Sequence, residues 1–176
     1  MLEPFVLLLV FISIIIVFGS AAYASLRAAP WLPVRNRDIG RIVTLARLSS
    51  QQVFFDLGSG DGRVLMALGR NCRARTIGYE VSVLPFLYSQ IRLLTAGLHK
   101  CVEVRFADFF TADLSPADVV FCFLTPMAMK KIAPKFRAEL KPGARVISYS
   151  FSIPGWVPER VDKPTEKSIP IFVYTL

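Results

Sequence analysis

The chain has 176 residues, which leaves room for one domain of ordinary size and little else. It carries 21 Lys and Arg against 13 Asp and Glu, a formal net charge of +8, and 53% of its residues are hydrophobic. No basic run with interleaved aromatic residues is present, so we predict no nucleic-acid partner, and no Cys or His spacing is typical of a metal site.

The first predicted element is an uninterrupted apolar segment over residues 5–26, which contains no charged side chain. At about 1.5 Å per residue, a helix of this length spans the hydrocarbon core of a bilayer. We therefore predict a transmembrane anchor over residues 1–27 that contacts the lipid bilayer through residues 5–26. A cleaved signal peptide is the alternative, because Ala22-Tyr23-Ala24 resembles a cleavage site, but Glu3 and the lack of a Lys or Arg before residue 5 disfavour it.

The charges that follow the apolar segment predict its orientation. Every Lys and Arg lies after residue 26, and the nearest are Arg27, Arg35, Arg37 and Arg41. By the positive-inside rule, this distribution predicts a single-pass membrane protein whose domain lies on the cytoplasmic side. The excess of basic over acidic residues also favours attraction to anionic lipid headgroups.

A connector and a leading helix are predicted over residues 28–50. Pro30 and Pro33 flank Trp31 and stiffen the connector, and the apolar periodicity from Asp38 to Leu48 predicts the helix. Two roles stay open for Trp31, at the border of an acceptor site or in packing at the lipid interface.

Residues 51–176 alternate between strand and helix patterns. Predicted strands cover residues 52–57, 74–80, 102–107, 117–124, 144–151 and part of 168–176, and predicted helices cover residues 63–70, 83–96 and 127–140. Pro134 is expected to kink or split the last helix, and residues 152–167 are left unassigned. The alternation predicts an α/β fold with a Rossmann-like, mostly parallel sheet, helices on both faces, and ligands at the carboxyl ends of the strands.

The helix predicted over residues 83–96 has one continuous apolar face. Pro85 fits its first turn and Gly97 is a suitable stop. The face consists of Leu84, Leu87, Tyr88, Ile91 and Leu94, followed by Leu98. This spacing is typical of an amphipathic helix.

A glycine-rich turn, Asp56-Leu57-Gly58-Ser59-Gly60-Asp61-Gly62, joins the first strand to the next helix. Its glycines allow backbone N–H groups to approach a ligand, and the helix directs its positive N-terminus at the same place. Carboxylates at Asp56 and Asp61 would repel a pyrophosphate. The turn therefore favours a ligand that is cationic or zwitterionic there, such as the methionine moiety of S-adenosylmethionine.

Two further acids follow the next strands. Glu80 closes the second strand, where a carboxylate can accept hydrogen bonds from ribose hydroxyls, and Asp108 follows the third. Acids at the ends of successive parallel strands meet at one edge of the sheet, so we predict that they serve one site.

Together these segments resemble the S-adenosylmethionine-dependent class I methyltransferases from about Arg35 to the C-terminus. The matching segments are residues 56–63, Gly78-Tyr79-Glu80 and Ala107-Asp108-Phe109. The apolar segment, Trp31-Leu32-Pro33-Val34 and residues 152–158 add a narrower resemblance. It is to the membrane-anchored lysine methyltransferases of the ATP synthase c subunit and the adenine nucleotide translocase, and to their bacterial relatives.

The resemblance implies S-adenosyl-L-methionine as the cofactor and assigns residues to it. The turn would surround the methionine moiety, with Asp56 and Asp61 near its ammonium group, Glu80 would hold the ribose, and Asp108 and Phe109 would face the adenine. The full set is Asp56, Gly58, Ser59, Gly60, Asp61, Gly62, Glu80, Asp108 and Phe109. A final antiparallel hairpin that includes residues 168–176 is also implied.

The function that the resemblance implies is methylation of a lysine on a membrane protein by a membrane-anchored enzyme. Methylation of a lipid or quinone is an alternative, as is a non-catalytic membrane scaffold that binds S-adenosylmethionine. Leu124-Thr125-Pro126-Met127 stands where enzymes that methylate bases or glutamine carry Asn/Asp-Pro-Pro-Tyr/Phe, which argues against those substrates. Aromatic candidates for the wall of an acceptor pocket are Tyr79, Phe109, Tyr149, Phe151 and Trp156, and no residue is identified as a catalytic base.

Overall fold

The computed structural model describes residues 2–70 and 74–176, so residue 1 of the predicted anchor lies outside the described residues. Its helices are α1 (Leu2–Arg27), α2 (Asn36–Ala46), α3 (Arg63–Gly69), α4 (Val83–Thr95) and α5 (Pro126–Glu139). Its strands are β1 (Val53–Leu57), β2 (Arg75–Glu80), β3 (Val102–Phe106), β4 (Val119–Cys122), β5 (Arg145–Tyr149), β6 (Arg160–Asp162) and β7 (Ile171–Thr175).

The described strands form one sheet in the order β3-β2-β1-β4-β5-β7-β6. Strands β1 to β5 pair in parallel, whereas β7 runs antiparallel to both β5 and β6. The strand order reverses between β1 and β4, and in open α/β sheets this reversal is where ligands bind. The predicted fold class is confirmed, and so is the antiparallel hairpin at the end of the chain.

Apolar side chains fill both faces of the sheet. On β1, Phe54 packs into one core cluster and Phe55 into the other, because successive strand residues point to opposite faces. All of β4 is buried, because both faces of the sheet are covered there, and this explains its continuous apolar sequence. The sheet is therefore a rigid support for the loops at its carboxyl edge.

Two elements differ from their sequence-based predictions. Helix α5 continues without a split through Pro134, which lies on the exposed side of the helix. Residues 152–167, left unassigned above, contain the edge strand β6, which pairs with β7. A three-residue edge strand is too short to produce a recognisable periodicity.

Helix α1 is long and apolar enough over Glu3–Arg27 to cross a membrane, with a mean hydropathy of 2.9. Its N-terminal part is exposed along its length, while Ala24 near its C-terminal end is buried against the domain. The last turns of α1 therefore belong to the packing of the α/β domain, and they dock at the carboxyl edge of the sheet.

Candidate cofactor site

The glycine-rich turn adopts the backbone that its sequence predicts. Gly58, Gly60 and Gly62 have φ angles of 82°, 55° and 72°, in the left-handed region that favours glycine. The N–H groups of Gly58 and Ser59 both donate to the carbonyl oxygen of Tyr79 at 3.0 Å. These bonds fix the turn against the end of β2.

Gly78 allows the turn to lie directly on β2. A methyl group at this position would lie 2.5 Å from Leu65 Cδ1 and 2.6 Å from Ser59 Oγ, well inside van der Waals contact. The Ser59 hydroxyl is buried and has no hydrogen-bond partner among the described residues, and the residue itself is part of the cavity lining. A buried hydroxyl without a partner is suited to a polar ligand atom.

Glu80 is held at the end of β2 by backbone donors. Its Oε1 accepts from the N–H groups of Val81 at 2.9 Å and Ser82 at 2.7 Å, and its Oε2 accepts from Gly60 at 2.8 Å. The side chain lines the cavity and is almost fully buried. The backbone thus orients this carboxylate before any ligand binds.

Asp56 lies beside Glu80 at the end of β1, and it is only 2% exposed. Burial first, and then the charges of Glu80 and Asp61, raise the pKa of Asp56 well above its ordinary value. A cationic group in the cavity would stabilise the ionised form. The cavity therefore contains a carboxyl group whose charge a cation would favour.

Asp61 lies in a different electrostatic setting, although it lines the same cavity. Its Oδ2 forms ion pairs with Arg63 at 2.8 Å and Arg92 at 2.7 Å. Burial raises the pKa of Asp61, but the bonds from Arg63 and the charges of both arginines outweigh it, so the pKa lies below its ordinary value. Asp61 thus joins α3 to α4, and its charge is already neutralised.

Asp108 contacts the end of α1 and is not among the described residues that line the cavity. Its Oδ2 accepts from Arg27 Nε at 2.6 Å and from the Tyr23 hydroxyl at 3.0 Å, while its Oδ1 accepts from the Phe110 N–H at 2.9 Å. Burial raises the pKa of Asp108, but these bonds outweigh it and lower the pKa. The neighbouring Phe109 does line the cavity.

The connector between α1 and α2, residues 28–34, forms the remaining wall of the cavity. Trp31 lies over the glycine turn, where a methyl group on Gly60 would be 2.9 Å from its indole Nε1. Thr125 holds the connector in place, because its hydroxyl donates to the carbonyl oxygen of Ala28 at 2.7 Å. Sequence reasoning left the role of Trp31 open and missed that of Thr125, which no local pattern indicates.

The aromatic candidates for an acceptor wall separate into two groups. Tyr79 and Phe109 line the cavity, together with Phe123. Tyr149 instead donates its hydroxyl to Asp38 at 2.7 Å. Trp156 packs between Phe136 and Tyr174, and Phe151 is also outside the described lining residues.

The side chains of the cavity fit S-adenosylmethionine. They offer carboxylates for its cationic and hydroxyl groups, an unpartnered hydroxyl at Ser59 and apolar walls for a ring. The space is limited, because the cavity volume of about 70 Å³ is below the roughly 300–1,000 Å³ of small-molecule pockets. The connector that carries Trp31 lies over the glycine turn and narrows this space.

Comparison with known proteins agrees with this geometry. The model of the family described as the ANTKMT methyltransferase domain matches residues 56–160, which include the glycine turn, Glu80 and Asp108. A protein-lysine N-methyltransferase of Saccharolobus islandicus is 30% identical over 82% of this chain and 91% of that protein. The adenine nucleotide translocase lysine N-methyltransferase of Mus musculus is 33% identical, over 75% of this chain but only 57% of its own length.

A solved structure shares the fold over nearly its whole length. The RNA methyltransferase from Salinibacter ruber, crystallised with S-adenosyl-L-homocysteine, has a TM-score of 0.77 and 31% identity. The match covers 82% of this chain and 93% of that chain. The demethylated product of the predicted cofactor is thus bound by a protein with this fold.

Proposed function

Since the chain belongs to the ANTKMT methyltransferase domain family, we propose that it N-methylates a lysine of a membrane protein while α1 anchors it in the bilayer. Family membership makes it an S-adenosylmethionine-dependent methyltransferase. The observation that carries the proposal is the cavity itself, in which the glycine turn, Asp56 and Glu80 face the base of the apolar helix α1. A donor site built in this way lies beside the place where the chain enters the membrane.

The proposed donor site consists of the residues that the sequence predicts. Two of them, Asp61 and Asp108, act indirectly by holding neighbouring segments in place. Asp56, Ser59 and Glu80 contact the donor together with the three glycines of the turn and Phe109. Asp61 holds the turn through Arg63 and Arg92. Asp108 orients the segment that carries Phe109 through its bond to the Phe110 N–H.

The chemistry needs little from the protein besides alignment and a dry site. When bound, S-adenosylmethionine supplies an electrophilic methyl group on a sulfonium. The acceptor amine has to be neutral, and a free lysine has a pKa of about 10.4. The apolar cavity walls at Phe109, Phe123 and Leu124 disfavour an ammonium group and exclude water, which lowers the pKa of a lysine between them.

Anchoring is proposed on the composition of α1 and on the charges that follow it. The helix has no charged side chain between Glu3 and Arg27, and the next arginines favour a cytoplasmic domain in a single-pass topology. We propose residues 1–27 as the anchor, 28–50 as connector and leading helix, and 51–176 as the methyltransferase domain. A relative that methylates the adenine nucleotide translocase supports a membrane-protein acceptor.

The proposal is tested with the full chain and membranes that hold unmethylated proteins. Tritium from the methyl group of S-adenosylmethionine is followed into protein, lipid and RNA fractions, and labelled protein is hydrolysed to identify methyl-lysine. We expect label in methyl-lysine, lost with Glu80→Ala and kept with Glu166→Ala, a change at an exposed position outside the cavity lining. Label in lipid or quinone, in RNA, or in no fraction despite measurable donor binding would each overturn the lysine assignment.

RNA is included because of one specific observation. The Salinibacter ruber neighbour is described as an RNA methyltransferase, and this chain carries a net charge of +8. The same charge is explained by a site beside anionic headgroups. The RNA fraction in the labelling experiment separates these explanations directly.

A further inference from the structure

Helix α4 turns its apolar face away from the sheet. We call Leu84, Leu87, Tyr88, Ile91 and Leu94 the α4 apolar face, and their exposed fractions are 57%, 50%, 51%, 60% and 69%. The opposite side of the helix packs on the domain, where Pro85, Ser89 and Leu93 are buried. The apolar residues whose periodicity predicts the helix therefore lie on its exposed side, and the rest of the domain does not cover them.

The polar groups of α4 cover little of this face. The helix contains no acidic residue, and its one charged side chain, Arg92, pairs with Asp61 at 2.7 Å while its guanidinium lies 5.5 Å from the ring centroid of Tyr88. Phe106 at the end of β3 is 55% exposed and stacks on Phe86 of the same helix at 5.2 Å between ring centroids. A contiguous apolar surface of this kind is rare in monomeric soluble proteins and marks an interaction site.

The position of α1 indicates what covers the α4 apolar face. The two helices are in contact, and the Val83 N–H at the start of α4 donates to Ser20 Oγ in α1 at 3.1 Å. At about 1.5 Å per residue, the 25 residues from Glu3 to Arg27 are about 37 Å long, against about 30 Å for a hydrocarbon core. If the span begins at Glu3, about 20 residues cross the hydrocarbon and it ends near Tyr23, so α4 begins beside Ser20, about one turn inside the edge of the hydrocarbon.

Groups further along α1, at the level of Arg27, are those expected at a lipid headgroup. The ring of Phe110 has the Arg27 guanidinium 5.3 Å from its centroid and the Lys131 ammonium 4.6 Å from it. Basic side chains over aromatic rings are favoured where an apolar phase meets anionic headgroups. The start of α4 thus lies beside the part of α1 that leaves the bilayer.

We propose that α4 lies along the cytoplasmic surface of the bilayer, with the α4 apolar face buried among headgroups and upper acyl chains. The proposal rests on the anchoring proposed above and adds a second point of contact. Amphipathic helices with aromatic and aliphatic residues on one side bind bilayers in this way. Because α4 follows Glu80 directly in the chain, this contact fixes the height of the donor cavity above the membrane.

The test uses the full chain in liposomes of phosphatidylcholine and phosphatidylglycerol whose acyl chains carry bromine. Leu87→Cys and Leu94→Cys are labelled with the fluorophore NBD, with Lys163→Cys as an exposed control on another part of the domain and Ile12→Cys as a reporter for α1. The unsubstituted chain gives the background labelling of the native cysteines. Bromine quenches only fluorophores that lie at the depth of the acyl chains.

We expect strong quenching at Ile12, Leu87 and Leu94, and none at Lys163. Quenching at Ile12 without quenching at Leu94 overturns the α4 proposal and leaves the anchor in place. The absence of quenching at Ile12 overturns the anchor as well. Energy transfer between labelled copies at high dilution in the bilayer would show that a second copy of the chain covers the face, which also overturns the proposal.

Discussion

At the scale of single residues, the donor cavity holds two carboxyl groups in opposite electrostatic states. Asp61 is paired with two arginines and its pKa is lowered, whereas burial and like charges raise the pKa of Asp56. The first arrangement stabilises the fold, and the second stores unfavourable electrostatic energy. A cationic ligand would relieve that energy, which is a common origin of trade-offs between stability and function.

Asp56→Asn tests this difference through the pH dependence of stability. Because the pKa of Asp56 is raised on folding, the native state holds its proton more tightly than the unfolded state. The wild type should therefore lose stability relative to Asp56→Asn as the pH rises above about pH 4, the ordinary pKa of an Asp. Thermal unfolding across this pH range checks the expectation.

The same variant should bind the methyl donor more weakly, although it is more stable than the wild type at high pH. Asp56→Asn is expected to weaken the affinity for S-adenosylmethionine by at least about tenfold, because a neutral amide replaces the carboxylate that we propose faces the cation. Calorimetric titration measures it. A variant that is both less stable at high pH and unchanged in affinity would contradict the placement of Asp56 beside the donor.

Gly78 offers a second residue-scale prediction, with a matched control in α2. Gly78→Ala should lower the free energy of unfolding by about 1–3 kcal/mol, because its methyl group would overlap Leu65 and Ser59. The same change at the exposed Gly40, where nothing lies within 4 Å, should raise it by about 0.5–1 kcal/mol. Denaturant unfolding compares the two variants, and equal effects would show that close packing at Gly78 is unimportant.

At the scale of elements, the connector and α4 were predicted as elements, but their contacts were not. The glycine turn and the strand-end acids were predictable because each is a local pattern that ends one element and begins the next. The partners of Asp108 were not, because Arg27 and Tyr23 lie 81 and 85 positions earlier in the chain. A single sequence does not specify which distant charge reaches a given carboxylate.

The orientation of α4 has a related explanation. Helical periodicity shows that a helix has an apolar side, but it does not show whether protein or another apolar phase covers that side. The same limit applies to Tyr149, whose bond to Asp38 spans 111 positions and joins α2 to β5. Apart from the short β6, the elements were thus predictable from local pattern, whereas their contacts depend on the assembled sheet.

Thr125 provides the prediction for the connector. Thr125→Val removes the bond to the Ala28 carbonyl and the bond that caps α5 at Ala128, whereas Thr125→Ser keeps a hydroxyl for both. We expect Thr125→Val to lower stability by about 1 kcal/mol and to speed dissociation of S-adenosylhomocysteine several-fold, with Thr125→Ser close to wild type. Stopped-flow release of the product measures the rate, and equal rates in all three proteins would exclude a covering role for the connector.

At the scale of the whole molecule, α1 both carries the apolar span and supplies a wall of the donor cavity. Ala24 and the connector line the cavity, while the preceding turns are exposed along their length. An anchored enzyme reaches only acceptors in its own bilayer. Tethering raises their effective concentration and excludes those on other membranes.

Mixing experiments test this restriction. Enzyme and acceptor membrane proteins reconstituted in the same vesicles should give methyl transfer at least about tenfold faster than the same amounts in separate vesicles, because the second arrangement lacks the tether. Donor binding serves as the control and should be equal in both preparations. Equal transfer rates would indicate that the enzyme does not depend on a shared membrane.

The bond between Arg27 and Asp108 extends this dependence to the physical state of the lipids. A membrane thicker or thinner than the apolar length of α1 makes such a helix tilt or shift along its axis. Arg27 in the last turn of α1 is hydrogen-bonded to Asp108, next to Phe109. A movement of α1 would therefore be transmitted to the place where the adenine ring is expected. The acyl-chain length of the surrounding phospholipids would then tune how tightly the methyl donor is held.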